Sequence, residues 1–363
     1  MNRQIWMILV VAMAAVSAQA TIRTVNQFGT AQYTSVGAAI TASSNGDTLL
    51  IAPGTYNENI VLNFKILTVI GAGWDLVTMD AGGVQTISLA NTVTGTSIEG
   101  IDAVSSTNTF LLNSSADSVT IRRCRLRSTT TTLNHAASGR RAFFEDCIIS
   151  TSNNAIMVSL SSNTNSGWVF RGCVFAFTGG TQSATTIFNG NNGSTLEVTN
   201  CTFVSVRQAF NLTGSQPVIA INNVFYDWTG TPTWGTFLPG SVFDYNASDA
   251  TGPTIPGSFT NHILLGANDP FVIYDEALNY QHGTSDLHLN GGTGGLALTN
   301  TGHPLILDVD GSRSDVGAYG GPRPLVDNGI PAFPFVTSLT IPSLIESGDD
   351  LNVNSTGRVG PRY

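Results

Sequence analysis

Several groups of side chains have the types and spacing to do chemistry. The densest is Arg122-Arg123-Cys124-Arg125-Leu126-Arg127, in a chain with one lysine, Lys65, beside fourteen arginines. Clustered guanidiniums suit carboxylated or sulfated polymers, which they bind through paired N–H groups. The plainer reading is structural: stacked strands would set Arg122 beside Glu145 and then Arg171, and Arg123 beside Asp146. Such cross-strand pairs contribute roughly 0.2–1 kcal/mol each. Arg125 and Arg127 lack an evident partner in that scheme and are binding candidates. A second group, Asp308, Asp310 and Asp315 around Gly311, could give oxygen ligands to calcium, although the third Asp and the bidentate Glu of an EF-hand are missing. Aspartates in that setting also simply close turns. A third group runs from Asp227-Trp228 through Trp234 and Phe237 to Asp244-Tyr245. Aromatic faces beside carboxylates suit sugar rings. Trp228, Trp234 and Tyr245 are therefore glycan-contact candidates, unless they only pin a loop. His135, His262, His282, His288 and His303 show no metal-ligand spacing.

These residues sit in a chain of 363 residues with 11% charged side chains, well under the ~25% of ordinary soluble domains. A formal charge of -9 argues against non-specific nucleic-acid binding, which needs a basic face. Residues 1–20 read as a signal peptide: Arg3, the apolar run Ile5 to Val16, and Ala18-Gln19-Ala20 as cleavage site. The apolar run is shorter than the about 20 residues that span a bilayer, and no later segment is long enough. Export to the outside or the cell surface is expected, without a transmembrane segment.

The elements that position the candidates follow from a repeat. Val119-Thr-Ile-Arg-Arg-Cys124, Ala142-Phe-Phe-Glu-Asp-Cys147, Trp168-Val-Phe-Arg-Gly-Cys173 and Leu196-Glu-Val-Thr-Asn-Cys201 align, with cysteines 23, 26 and 28 residues apart. Ala72 and Ile101 extend the file upstream, and Ile219 to Val224 continues it downstream with a register open by one residue. Each unit is a short alternating strand, a polar residue or Gly, then a second short strand. Alternation means one buried face. The unit is too short for a helical crossover, so coils of strands must stack, each about 4.8 Å above the last. An all-β parallel β-helix results, with Tyr33 to Ile40 as a short capping helix. Four cysteines in an exported chain could form two disulfides. Successive inward positions in register favour a ladder of free thiols instead, because parallel Cβ atoms about 4.8 Å apart exceed the usual ~3.5–4.5 Å of a disulfide. Sequons at Asn113, Asn211 and Asn246 read as turn residues unless the chain passes through a eukaryotic secretory route.

The opening Gly46-Asp-Thr-Leu-Leu-Ile51-Ala-Pro-Gly54-Thr-Tyr56-Asn-Glu58-Asn-Ile60, with Ile66 to Gly73, is similar to the first coils of the pectin-lyase-like superfamily of right-handed, single-stranded parallel β-helices. Ser285-Asp-Leu-His-Leu289 and Asp308 to Gly321 resemble the C-terminal end of secreted bacterial β-helix repeat proteins. The resemblances cover residues 30–323. They imply a β-helix over 21–323, followed by a Pro-containing linker and β tail over 324–363 that could pack on the last coil or attach elsewhere. Lyases of the superfamily pair carboxylate-held calcium with an arginine or lysine base, its hydrolases group two or three Asp residues, and its methylesterases carry a Gly-Thr-Val-Asp-Phe-type strand. None of these signatures is present. The expectation is therefore an exported, non-catalytic scaffold or adhesin-like protein that binds polysaccharide weakly and has no cofactor apart from the calcium candidate. A polysaccharide lyase or glycoside hydrolase is the alternative.

Overall fold

The computed structural model describes residues 20–360, except 92, 113–115, 137–139, 154–155, 161–166, 181–184, 191–194, 214–215, 342–347 and 349. The expected leader lies almost wholly outside these residues, as does Asn113. The described chain is a parallel β-solenoid. One side is an 11-stranded sheet, here sheet A, that runs from Ile22–Val25 to Phe259–Thr260. The register matches the repeat: Val119 lies opposite Ala142, which lies opposite Trp168, then Leu196, then Val218. The other two sides belong to one continuous 16-stranded sheet. Sheet B contains Asp102–Ser105, Arg125–Ser128, Ile148–Thr151 and Val174–Phe177; sheet C contains Phe110–Leu112, Leu133–His135 and Thr186–Gly190. The long strands Thr202–Leu212 and Val224–Thr236 run round the corner and join the two.

The bend between sheets A and B has one cause repeated from the coil of Gly100 onward. Gly100, Arg123, Asp146, Gly172, Asn200, Asn222, Tyr245 and Asn261 occupy one file, each with φ between 49° and 71°. This is the left-handed region that Gly and Asn enter at least cost. The next residue points inward. Cys124, Cys147, Cys173 and Cys201 form that inner file as buried, free thiols. Burial pushes the Cys124 thiol up to about 12, so it stays protonated. The file then continues as Asn223 and Asn246, which settles the open register. Cys201 N–H donates to Asn223 Oδ1 and Asn223 N–H to Asn246 Oδ1, both at 2.9 Å. Asn246 is thus core, not a glycosylation site. Stacked rings fill the interior: Phe175, Phe203 and Phe225 lie 4.8 and 4.5 Å apart, centroid to centroid.

The helix Val36–Ala42 covers the first coil and buries Val36, Ala39 and Ile40. Charge fixes both ends. Glu58 accepts the N–H groups of Val36 and Gly37 at 2.7 and 2.8 Å, and Lys65 Nζ donates to the carbonyls of Ile40, Thr41 and Ser43 at 2.6, 2.7 and 2.9 Å. The chain's one lysine therefore serves the C-terminal carbonyls of a helix. No described helix is long and apolar enough to cross a membrane.

After the last coil the chain returns along the outside of sheet B and the A–B corner. Gly317 N–H donates to Asn222 O at 2.9 Å, Asn200 Nδ2 to Asp315 O at 2.8 Å, and Arg323 Nη1 to Glu145 Oε2 at 2.9 Å. Further back, Arg123 Nη1 donates to Ile330 O at 3.3 Å and Trp74 N–H to Asn328 O at 2.9 Å. Gly172 is needed here twice over, since a Cβ would also lie 2.2 Å from Arg323 O. The tail ends as an antiparallel ribbon, Phe335–Thr340 with Asn354–Arg358. It is tied to the second coil and not the last one: Arg358 Nη1 donates to Asp75 Oδ1 at 2.7 Å.

Candidate functional site

Arg125 and Arg127 lie on the outer face of sheet B, but neither is free. Asp102, on the preceding coil and 1% exposed, accepts from both. Arg125 reaches it through Nε and Nη2 at 3.0 and 2.8 Å, and Arg127 through the same two atoms at 2.9 and 2.5 Å. The expected register also holds, with Arg122 opposite Glu145 and Glu145 opposite Arg171. Arg123 lies 3.8 Å from Asp146 and Arg171 4.0 Å from Glu145, but Arg122 pairs with Glu99 on the preceding coil, at 2.6 Å, and not with Glu145.

Arg125 lines the cavity of about 380 Å³ between sheet B and the returning segment. The rings of Trp74, Tyr280 and Tyr319 line it too, with Asp286, His288 and Asp327. The strand Asp286–Leu289, paired antiparallel with Phe271–Ile273, places the His288 ring. Its Nδ1 lies 2.7 Å from Asp286 Oδ1, its Nε2 lies 3.9 Å from Asp327 Oδ2, and its ring sits 3.7 Å from that of Tyr319. Tyr319 OH donates to Asp327 Oδ1 at 3.1 Å. Burial raises the Asp286 carboxyl, but the N–H and ring of His288 outweigh it and hold it below its usual range. An imidazole oriented by a carboxylate can accept or deliver a proton. The sequence offered Asp286 and His288 only as part of an end motif. Tyr319 and Asp327 lie well downstream, so nothing local joined them.

Past Tyr280 the segment touches down again at His282, whose Nε2 is 3.1 Å from Ser150 Oγ. A recess of about 160 Å³ lies there, beside Arg127. Farther along, a third polar group fastens the segment. Asp227 Oδ2 accepts from Tyr274 OH at 2.6 Å and Ser205 Oγ at 3.0 Å, and Tyr226 OH donates to Glu276 Oε1 at 2.6 Å. Burial pushes the Asp227 carboxyl up to about 6, against the hydrogen bonds from Tyr274 and Ser205. This group holds two chain segments together.

The aromatic candidates are placed differently from expectation. Trp228 and Trp234 are 5% and 4% exposed and belong to the main core. They meet edge to face at 5.0 Å, and Trp234 packs on Phe259 at 4.9 Å. The Gly- and Pro-containing stretch reads as a loop but is the long strand Val224–Thr236, which turns its indoles inward. Neither offers a face to a sugar. Tyr245 is a corner residue, with Arg313 over its ring at 5.3 Å and His303 at 5.4 Å. It anchors the returning segment.

The C-terminal aspartates close turns. Asp308 accepts the N–H of Asp315 at 3.0 Å and that of Gly321. Asp310 accepts the N–H of Ser312 at 2.9 Å, and Asp315 that of Asn300 at 2.7 Å. Among the described residues, no three His, Cys, Asp or Glu side chains converge to hold a metal ion. Asp308, Asp310 and Asp315, the calcium candidates, each hold a backbone turn or loop through these hydrogen bonds.

No family model and no curated protein matches the chain. Solved structures with a similar course of chain include the pectin methylesterase of Aspergillus niger, at 16% identity and a TM-score of 0.45 over 69% of this chain and 87% of that one. The pectin methylesterase of carrot follows at 15% and 0.39, over 68% and 82%. A pectate lyase matches at 12% and 0.43, over 84% and 97%. Likeness at this level transfers no residue and no reaction.

Proposed function

We propose that the protein is an exported β-solenoid that binds a polysaccharide, with one sugar unit seated in the cavity between sheet B and the returning segment. The carrying observation is that concavity of about 380 Å³, which sets the Trp74, Tyr280 and Tyr319 rings beside Arg125, Asp286, His288 and Asp327. Rings take the C–H faces of a sugar, and charged or hydrogen-bonding groups take its hydroxyls. The site replaces the tryptophan platform that the sequence suggested and keeps Arg125. Titration calorimetry with oligosaccharides of pectin, alginate and related glycans tests it. Saturable binding that falls at least tenfold in His288→Ala supports the cavity; equal affinity in that variant removes it.

A second reading has its own observation, the 2.7 Å contact that orients His288 through Asp286. An oriented imidazole beside a carboxylate suits proton transfer in glycan cleavage. Release of reducing ends or unsaturated products, abolished by His288→Ala and slowed in Asp286→Asn, would make the protein an enzyme. Binding without product supports the scaffold role.

A further inference from the structure

The smaller recess, on the far side of the Tyr280–His282 segment, has a different chemistry. Asp102 serves two guanidiniums at once, so the Arg125–Asp102–Arg127 triad keeps one uncompensated positive charge. Both arginines spend their Nε and Nη2 on that carboxylate, which leaves Nη1 of Arg127 without a hydrogen-bond partner among the described residues. Arg127 lines the recess, with His282 and the side chains of Ser105, Ser128, Ser150 and Thr178. The described lining contains no carboxylate. His282 adds a second unmet need: Nε2 is engaged by Ser150, while Nδ1 is buried with no hydrogen-bond partner. The hydroxyls of Ser105 and Ser128 already donate to Val84 O and Thr130 O at 2.8 Å each. Recognition therefore falls to Arg127 and His282. This local positive field stands out in a chain of formal charge -9.

We propose that this recess of about 160 Å³ is a small-oxyanion subsite, taking one sulfate, phosphate or carboxylate group against Arg127 Nη1 and the His282 ring. A guanidinium edge with an imidazole N–H suits such a group, and the enclosing hydroxyls keep it from full hydration. The group is either a free anion or a substituent of the glycan proposed above. The subsite does not depend on that glycan reading, since it shares no lining residue with the larger cavity.

Calorimetry and thermal melting of the mature protein with sodium sulfate, phosphate and acetate, each matched in ionic strength to chloride, test it directly. At least one oxyanion should bind saturably and raise the melting temperature with concentration, as mass action requires. Arg127→Gln should weaken that binding at least tenfold. Ser152→Phe, which fills the recess from its rim and leaves the triad intact, should do the same. Arg141→Gln, at the exposed Asp117 pair, and His288→Ala, in the larger cavity, should leave it unchanged. Competition by sulfated or uronate oligosaccharides would assign the group to a glycan, and its absence to a free anion. Heats no different from chloride, or unchanged affinity in both Arg127→Gln and Ser152→Phe, would overturn the subsite.

Discussion

The outer face of sheet B is one surface of two characters. In its N-terminal half the outward side chains include the charged Asp102, Arg125 and Arg127 and the polar Ser150, beside Val104 and Ile148; in its C-terminal half they are mostly apolar, with Val174, Ala176, Val204, Val224 and Ala247 beside Thr202 and Tyr226. The same returning segment lies over both. Across the apolar half Phe271, Leu298, Val316 and Ala318 join the valines in a second core. Across the polar half it touches down at Tyr280 and His282 and leaves two cavities. The coils beneath are alike, so the outward residues set how closely the returning segment packs on each half.

The sharpest way to break this contrast is Asp102→Ala. It strands two guanidiniums against each other, and removing one partner of a buried charge group costs about 3–5 kcal/mol. We expect the low end, because the arginine side chains are 18% and 34% exposed. Denaturant unfolding should show a loss well above that of Asp117→Ala at the exposed Arg141 pair. Equal losses would mean that the polar half is not held by charge. Leu298→Ala probes the apolar half. Its side chain is fully buried, and such truncations cost about 2–5 kcal/mol; a value near 2–3 is expected, with faster hydrogen exchange over 285–300.

Smaller, and dependent on pH, is the effect of Asp227, which ties the returning segment to the C-terminal coils. Its folded value of about 6 lies above the ordinary ~3.9, so the native state binds the proton more tightly. Its contribution to stability therefore grows as pH falls through 6 toward 4. Burial pushes His262 down to about 4 and His282 down to about 3, so they work in the opposite sense, destabilising the fold as pH falls below ~6.5. Asp227→Asn should remove the acid-side gain and leave the histidine loss, steepening the decline below pH 6 in thermal melts. A decline no steeper than that of the unaltered protein would remove Asp227 from that role. The interior common to both halves should show no effect in the native state. The four buried thiols should be silent to a thiol reagent, and all four should react after unfolding without reductant.

Much of the fold was legible because a stacked coil writes its register into the chain. The recurrence of Cys124, Cys147, Cys173 and Cys201 sufficed to place the inner file, and the polar residue or Gly before each marked the bend. The same alignment held an unread consequence. With Ile101 in file with Cys124, Asp102 had to face Arg125, so the partner of both arginines was in reach. Trp228 and Trp234 were misplaced because Gly230 and Pro232 read as loop punctuation, whereas the local signal was overridden by pairing with Thr202–Leu212. The larger cavity was not legible at all. Trp74, Arg125, His288 and Asp327 come together only through the path of the returning segment, and no periodicity encodes where a chain lies down on a distant surface.

That path also changes how the molecule must assemble. A bare solenoid behaves almost as a one-dimensional stack, in which each coil answers only to its neighbours and the ends can fray. Here Arg123 is bonded to a residue 207 positions later and Asp75 to one 283 positions later. Coils can stack in the order in which they emerge from synthesis, but the larger cavity is not complete until residue 327 has been delivered to a surface formed long before. Its completion is thus a late folding event, burdened by the slow closure of long loops. A chain cut short before that point would keep its rod and lose that cavity.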